Sequence, residues 1–295
     1  MPKLTVVVTC SDRKTVAVDP TLRARDLPHG RVDRLDTWDQ RLRSAVATST
    51  LDDLYCGENW VQVKRLMGAA KAARFDAHLW IVSAGLGLQP AQSRAPGYAA
   101  TFSTRHLDSV ATDSCTARQW WAGLQERRGA PSLADLASSG PMLLVLGADY
   151  TKALSDDLAE LERMSTEAVL FGGATGVASP RRVPSDARLR SELKGTLSSL
   201  NTRMATAWLS RLGSNSLSSN LARQDWNLWV ERVSRTERYS RPRLTDDEVQ
   251  RFISASLEIN PSVARTTMLR RLREANRACE QARFARLYEK VKGTA

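Results

Sequence analysis

The chain has 295 residues, 42% of them hydrophobic and 25% charged, and a formal net charge of +11 at pH 7. This composition is that of a globular protein, and no stretch approaches the roughly 20 consecutive apolar residues of a membrane-spanning helix. The first residues lead directly into a predicted strand, without the charged and apolar regions of a secretory signal, so we expect a cytoplasmic protein with no membrane partner.

Four short apolar runs predict core strands. They are Leu4–Val8, His78–Val82, Met142–Leu146 and Glu167–Phe171. Longer segments with a helical spacing of apolar residues lie between these runs. Strands that alternate with helices, and runs apolar enough to be covered on both faces, are typical of parallel sheets. The sequence therefore predicts an α/β fold with a mostly parallel central sheet flanked by helices.

The first predicted strand leads into a run of polar groups, Thr9–Lys14. One interpretation is an ordinary polar turn, in which Asp12 and Lys14 form a solvated ion pair. The other is an active site, in which Cys10 is the nucleophile, Asp12 transfers a proton and Lys14 stabilises a thiolate or contacts an anionic ligand. The chain has three histidines and no Cys-x-x-Cys pair, so we expect no metal site and no catalytic triad. The segment Ser83–Leu88 is not a Gly-x-Gly-x-x-Gly motif and no P-loop lysine follows it, so we expect no cofactor.

The other predicted strands also end in small or polar residues. The segments that follow them are Ser83–Pro90, Gly147–Tyr150 and Gly172–Gly176. Because parallel strands direct their carboxyl ends to one edge of the sheet, where ligands bind, these segments predict one shared pocket. Its candidate substrate-binding residues are Ser11, Ser83, Ala84, Gly85, Gly87, Asp149 and Tyr150.

The last third of the chain is strongly basic. Residues 201–295 carry 18 Lys and Arg against 10 Asp and Glu, a net charge of +8, whereas residues 1–200 carry 25 against 22, a net charge of +3. Such an excess favours a polyanionic partner, for which DNA is the simplest candidate.

We expect three regions in the chain. Residues 1–212 form the α/β domain, residues 213–244 form a linker with a basic aromatic segment, and residues 245–295 form a small all-α module. Two predicted helices of this module, the second rich in arginine, have the outline of a helix-turn-helix. The candidate nucleic-acid contacts are Arg181 and Arg182 in a predicted loop, and Arg265, Arg270, Arg271 and Arg273 in the module.

Four segments of the sequence resemble the YaaA-like family. They are "CSDRK", "DLYCGENW", "LWIVSAGLGLQPAQSRAPGYAATFS" and "LVLGADYTKAL", and the resemblance covers residues 1–180. It adds Tyr55, Gly57 and Tyr98 to the candidate substrate-binding residues. This chain has Gly97 between Pro96 and Tyr98, where the family usually has Pro-Tyr.

The resemblance implies an α/β fold with a positively charged cleft and association with nucleic acid. Family members occur in DNA-modification systems that install 7-deazaguanine bases, and a nitrile-to-amide conversion on such a base would suit a thiol at Cys10. We therefore expect a DNA-associated enzyme that modifies a nucleobase in a modification or defence system, with protein partners from that system. The alternatives are a non-catalytic nucleic-acid-binding stress protein and a small-molecule nucleotide or nucleobase enzyme.

Overall fold

The computed structural model of the protein describes residues 1–28, 31–164, 166–236, 242, 244–275 and 277–293, with the backbone alone for residues 31–33. It divides into two compact units, Met1–Thr236 and Glu237–Ala295. Each unit encloses its own hydrophobic core.

The first unit is built around a five-stranded sheet. The strands of this unit are β1 (Lys3–Thr9), β2 (Ser49–Thr50), β3 (Asp76–Ser83), β4 (Gly87–Pro90), β5 (Arg94–Ala95), β6 (Met142–Leu146) and β7 (Ala168–Gly172). The order in the main sheet is β4-β3-β1-β6-β7, and β2 pairs with β5 separately. The strands β3, β1, β6 and β7 are parallel, whereas β4 runs antiparallel to β3. The predicted α/β fold with a mostly parallel sheet is confirmed.

The central strand β1 shows why this sheet forms. Val6, Val7 and Val8 are buried, because side chains on both faces of the strand enter the core. Val6 lies opposite Leu79 of β3 and Leu143 of β6, so apolar side chains meet across the sheet. The four predicted strands are all present, and their bounds differ from the prediction by at most two residues at each end.

The edge strand β4 was not predicted. It lies within the glycine-rich segment Ser83–Pro90, which the sequence analysis assigned to a ligand-binding loop. The chain reverses direction between Ser83 and Gly87, which are paired with each other, and Gly87 has a φ of +76°. A positive φ is accessible to glycine at little cost, so this glycine permits the tight reversal. The segment is therefore a hairpin that adds an antiparallel strand to the sheet.

Helices cover the sheet. In the first unit they are α1 (Arg31–Ser44), α2 (Leu51–Leu54), α3 (Glu58–Ala72), α4 (Ser114–Arg128), α5 (Leu133–Ala137), α6 (Ala148–Ala153), α7 (Ser155–Arg163), α8 (Arg190–Leu193), α9 (Leu200–Arg211) and α10 (Asn220–Val233). Local sequence sets their ends: α4 begins with a capping box between Asp113 and Thr116 and ends at Gly129 in the left-handed conformation. Helix α6 begins directly after β6, which places its first turn at the carboxyl edge of the sheet.

The predicted boundary at residue 212 does not coincide with the boundary between the units. Helix α10 lies within the expected linker 213–244, and its Trp226 and Trp229 are buried in the core of the first unit. The Trp226 ring packs 5.6 Å from that of Trp208 and 6.0 Å from that of Phe171, measured between centroids. These aromatic contacts bury a large apolar area, so the first unit extends to residue 236. Residues 237–241 and 243 of the expected basic aromatic segment lie outside the described residues.

The second unit consists of helices α11 (Asp246–Ile259), α12 (Arg265–Glu274) and α13 (Gln281–Gly293). Thr245 and Glu248 form a capping box at the start of α11. Val249, Ile253, Met268, Leu272 and Phe284 are buried and join the three helices in one core. Among the described helices of the whole chain, none has the length and the apolar character required to cross a membrane.

Candidate functional site

An open cleft of about 620 Å³ lies where β1 and β6 end, at the carboxyl edge of the sheet. Its walls are the segment after β1, the first turns of α3 and α6, and the turn before α9. Its lining includes Thr9, Cys10, Ser11, Asp12, Arg13, Cys56, Gly57, Glu58, Asn59, Gly147, Asp149, Tyr150, Thr196, Asn201 and Thr202. Two other cavities of the first unit, of about 630 and 870 Å³, are lined by no cysteine. This cleft is therefore the candidate functional site.

Cys10 is positioned by the sheet. Its backbone N–H donates to the carbonyl of Val82 at 3.0 Å, which continues the pairing of β1 with β3 by one residue. Its sulfur lies 3.3 Å from the hydroxyl of Tyr150, on the first turn of α6. Burial raises the pKa of Tyr150 well above its usual value, and the nearby thiol of Cys10 raises it further. Tyr150 is therefore protonated at neutral pH and able to donate a hydrogen bond to the sulfur or to a ligand.

Lys14 turns back from the cleft and packs on two aromatic rings. Its ammonium lies 4.3 Å from the ring centroid of Tyr98 and 5.7 Å from that of Tyr55. It donates to the carbonyls of Ser11 at 3.5 Å and Asp12 at 3.2 Å. Among the described residues, no carboxylate lies within salt-bridge distance of it.

The electrostatics of Lys14 connect it to Cys10. Burial lowers the pKa of Lys14, and the charges on Cys10, Asp12, Cys56 and Asp108 oppose that lowering, with Cys10 making the largest opposing contribution. The cation is thus held near a group that can carry a negative charge as a thiolate. Lys14 does not form the solvated ion pair with Asp12, because its ammonium contacts the Asp12 carbonyl rather than the carboxylate.

Three buried hydroxyls form a chain behind Lys14. The hydroxyl of Ser83 lies 2.5 Å from that of Tyr98, which lies 2.6 Å from that of Tyr55. Ser83 and Tyr98 are fully buried and Tyr55 is 2% exposed. Burial raises the pKa of both tyrosines well above the usual value, so both hold their protons at neutral pH.

The glycine-rich segment lies behind the cleft rather than on its surface. Ser83 and Ala84 are fully buried, and the N–H groups of Gly85 and Leu86 donate to the hydroxyl of Ser83 at 3.1 and 3.2 Å. A Cβ atom on Gly85 would lie 2.6 Å from the ring of Tyr98. Five residues predicted to bind the substrate therefore lie behind the cleft, and none of them lines it. They are Ser83, Ala84, Gly85, Gly87 and Tyr98.

Six predicted site residues line the cleft, namely Cys10, Ser11, Asp12, Gly57, Asp149 and Tyr150, whereas Lys14 and Tyr55 do not. Asp12 and Asp149 are on the wall, and Asp149 lies 3.8 Å from the ammonium of Lys152. The hydroxyl of Ser11 donates to the carbonyl of Cys56 at 2.9 Å, which ties the segment after β1 to the segment before α3. Gly57 precedes α3 with a φ of +95° and lies against the side chain of Arg13.

The cleft is also lined by a group of polar side chains that the sequence does not reveal. Glu58 accepts from Arg203 at 2.5 Å and from Thr196 at 3.0 Å, and the side-chain oxygen of Asn59 accepts from Thr202 at 2.9 Å. These contacts join residues that are separated by 138 to 145 positions in the sequence. A polar residue within a helical segment carries no signal of such a distant partner, so only the fold reveals the group.

Arg181 and Arg182 bind their own protein backbone. Arg182 donates to the carbonyls of Gly172 at 2.7 Å and Gly173 at 2.9 Å, and Arg181 donates to the carbonyl of Ser218. Arg223 in turn donates to the carbonyls of both arginines at 3.0 Å. The guanidinium of Arg182 thus fixes the loop after β7, which accounts for this residue without a nucleic-acid contact.

The arginines of α12 are arranged differently. Arg270 and Arg271 are exposed, and Arg273 is half-buried and donates to the carbonyl of Cys279 at 3.4 Å. Arg270 also lies 3.6 Å from Glu274, and Arg265 lies 3.4 Å from Glu289. Of the four predicted contacts, Arg271 is the most available to an external anion.

Together the fold and the cleft define an α/β protein with a cysteine and a tyrosine hydroxyl at the carboxyl edge of its sheet, and a half-buried lysine close by. No group of three or more His, Cys, Asp or Glu within the described residues is arranged to hold a metal ion. No protein-family model, no curated protein and no solved structure matches the chain.

Proposed function

We propose that this protein is a thiol-dependent enzyme that modifies a nucleobase, with Cys10 as its nucleophile. The observation that carries the proposal is the 3.3 Å contact between the Cys10 sulfur and the Tyr150 hydroxyl in an open cleft. A nucleophilic cysteine needs a cation or a hydrogen-bond donor to stabilise its thiolate, and a proton donor for the group that it attacks. Lys14 supplies the positive charge and Tyr150 supplies the donor.

The reaction that we propose is the hydration of a nitrile to an amide on a 7-deazaguanine base. The resemblance of four sequence segments to the YaaA-like family supports this choice of substrate. The thiolate of Cys10 bonds to the nitrile carbon, one C–N π bond breaks, and the nitrogen takes the proton of Tyr150 to give a thioimidate.

Water completes the reaction. Its oxygen bonds to the same carbon, and Asp12 passes a proton from that water to the nitrogen. The C–S bond then breaks, the amide carbonyl forms, and the hydroxyl proton returns to Tyr150. The sum is one nitrile and one water converted to one amide, with Cys10, Asp12 and Tyr150 restored.

The cleft suits a base as ligand. Its volume lies within the range of small-molecule sites, and its walls offer hydroxyl, amide and carboxylate groups for the edge of a heterocycle. Because the Asn59 oxygen already accepts from Thr202, its amide nitrogen remains to donate to an acceptor on a ligand. A target base within a duplex would have to leave the stack to reach Cys10.

We propose DNA as the macromolecular partner, bound through the basic second unit, and protein partners from a modification or defence system. The exposed arginines of α12 support the DNA contact, since arginine binds phosphate oxygens bidentately. The order α11, turn, α12 also fits the proposed helix-turn-helix.

Mass spectrometry of nucleosides tests the proposal. The protein is incubated with DNA that carries the nitrile-bearing 7-deazaguanine base, and separately with the free nucleoside. We expect the base to gain the mass of one water with the wild type and with Cys115→Ala, a matched control at an exposed thiol, but not with Cys10→Ala. An unchanged base with both substrates would overturn the proposed reaction. Conversion of the nucleoside alone would favour a small-molecule enzyme.

A further inference from the structure

Two asparagine side chains line the cleft, and hydrogen bonds fix the orientation of each amide. The buried Thr202 hydroxyl donates to the Asn59 oxygen at 2.9 Å. If this amide were turned over, the Thr202 hydrogen would need another acceptor, and within the described residues it has none. The Ser185 hydroxyl donates to the Asn201 oxygen in the same way. The oxygen of each amide is therefore occupied by the protein itself.

The nitrogen of each amide is left for a ligand. In the part of the chain that the structure describes, neither the Asn59 Nδ2 nor the Asn201 Nδ2 makes a hydrogen bond. The end of β7 makes room for Asn201, because a Cβ atom on Gly172 would overlap its amide nitrogen. An amide nitrogen carries two N–H groups and accepts nothing, so both side chains offer the cleft donors only.

The amides share one part of the cleft, formed by α3 and α9. Asn201 lies on α9 beside the threonine that binds Asn59 on α3. The carboxylate of Glu58 in the same part already accepts from two neighbouring side chains. The carboxylates of Asp12 and Asp149 belong to other segments, after β1 and β6. The part formed by α3 and α9 therefore selects for an acceptor atom on the ligand.

We propose that Asn59 and Asn201 are specificity-determining residues, which donate to the ring carbonyl of an oxo-type nucleobase and disfavour an amino-type base. Guanine presents the acceptor O6 on the edge where adenine presents the N–H donors of N6. An amino group against an amide nitrogen leaves both donors without an acceptor, which weakens binding. Thr202 is a positioning residue, because its hydroxyl holds the Asn59 oxygen. This inference rests on the proposed function in that a nucleobase occupies the cleft, but it does not depend on the reaction.

Isothermal titration calorimetry with inosine and adenosine tests the inference. The two nucleosides share the sugar and the ring system, and differ in that inosine carries O6 and a hydrogen on N1 where adenosine carries the N6 amino group. Each nucleoside is titrated separately into the full-length protein. We expect the wild type to bind inosine about ten- to a hundredfold more tightly, because a satisfied acceptor is exchanged for an unpaired donor.

Asn59→Asp removes the donor and keeps the rest of the contact. The remaining oxygen still accepts from Thr202, and an acidic residue suits the first turn of α3. We expect the affinity for inosine to fall about tenfold, whereas that for adenosine is kept or raised because the new oxygen accepts from its amino group. A variant that fails to fold would lose both nucleosides, so retained adenosine binding separates specificity from folding.

Two further variants complete the test. Asn227→Asp makes the same chemical change at an exposed position of α10 and should leave both affinities unchanged. Thr202→Val keeps the Asn59 amide but removes the hydroxyl that holds it. We expect its preference for inosine to fall by a smaller factor than that of Asn59→Asp, since the amide is present but no longer fixed.

The outcomes distinguish this inference from the proposed reaction. Equal affinities of the wild type for inosine and adenosine, no binding of either, or an inosine preference that survives Asn59→Asp would overturn the inference. A wild-type preference for inosine together with an unchanged nitrile-bearing base would exclude the proposed reaction alone. Conversion of that base by a protein that does not distinguish the two nucleosides would exclude the specificity role alone.

Discussion

The hydroxyl of Tyr150 lies 3.3 Å from the sulfur of Cys10, although 140 residues separate them in the sequence. Parallel pairing of β1 with β6 produces this contact, because each residue follows the carboxyl end of its strand. The Gly147 N–H also donates to the Thr9 hydroxyl at 3.2 Å, which fixes the two strand ends against each other. The contact is thus a direct consequence of sheet topology.

Tyr150→Phe should abolish most of the proposed nitrile hydration while leaving the fold intact. The ring packs edge-on against Phe102 at 5.2 Å, and phenylalanine preserves that packing. Loss of a positioned proton donor lowers rates by about 10²- to 10⁴-fold. The amide product is quantified by mass spectrometry, with Tyr288→Phe as the matched control. Equal rates in the two variants would exclude Tyr150 as the donor.

Lys14→Met should make the first unit more stable and Cys10 less reactive. The pKa of Lys14 is lowered by burial, so the native state binds its proton less tightly than the unfolded chain does. Below the native pKa the cost of the buried charge is fully present, and it diminishes as the pH rises through that pKa towards 10.5. We expect the variant to gain about 0.5–2 kcal/mol at neutral pH, a gain that shrinks at high pH.

Urea unfolding followed by tryptophan fluorescence measures this gain in the first unit, where all eight tryptophans lie. Lys71→Met, at an exposed position of α3, controls for the loss of a charge. A Lys14→Met variant whose unfolding free energy follows the same pH curve as wild type would contradict the assigned burial.

Gly85→Ala should destabilise the first unit by about 1–3 kcal/mol, because it overpacks the core. The added Cβ would lie 2.6 and 2.7 Å from two ring atoms of Tyr98 and 3.0 Å from Trp38. Gly68→Ala is the matched control, since that glycine is exposed within α3 and has no neighbour within 4 Å of an added Cβ. It should stabilise by about 0.5–1 kcal/mol. Both values come from urea unfolding, and similar effects of the two substitutions would be inconsistent with the described packing.

Replacing Arg270, Arg271 and Arg273 together by glutamine should weaken binding to double-stranded DNA. The slope of log affinity against log salt falls by about 0.9 for every arginine that no longer neutralises a phosphate. Fluorescence anisotropy on the full-length protein at several salt concentrations measures that slope. The control replaces exposed Lys71, Arg105 and Arg128 of the first unit by glutamine, which changes the net charge by the same amount. If both triple variants bind alike, the DNA does not contact α12.

The sheet and the place of Cys10 at its carboxyl edge could be predicted from the sequence, whereas the buried groups behind the cleft could not. Long β-branched runs such as Val6–Val8 have few alternatives to a buried parallel strand, and polar residues at strand ends meet at one edge by topology. Ser83 is buried behind the cleft, and its hydroxyl accepts hydrogen bonds from the N–H groups of its own turn. Such a local bond leaves no pattern in the sequence that distinguishes it from ligand binding.

The sequence also predicts too early an end for the first unit, at residue 212 rather than Thr236, for a related reason. Serine and asparagine in residues 213–220 are typical of a linker, yet Ser219 caps α10 and accepts from the Ala222 N–H at 3.1 Å. The tryptophans of α10 then pack on side chains that are distant in sequence. Secondary-structure propensity depends on residues that are adjacent in the chain. The contacts that extend the first unit join residues that are distant in the sequence and adjacent only in the fold.

Because the two units have separate cores, recombination can exchange one unit without the other. Among the described residues, the buried apolar side chains of the first core end at Trp229 and those of the second begin at Leu244. A recombination event between these positions would therefore fuse or separate the units without opening a hole in either core. Evolution can exchange the arginine-bearing unit for another while the cysteine cleft is retained. Proteins that share the cleft therefore need not share the second unit.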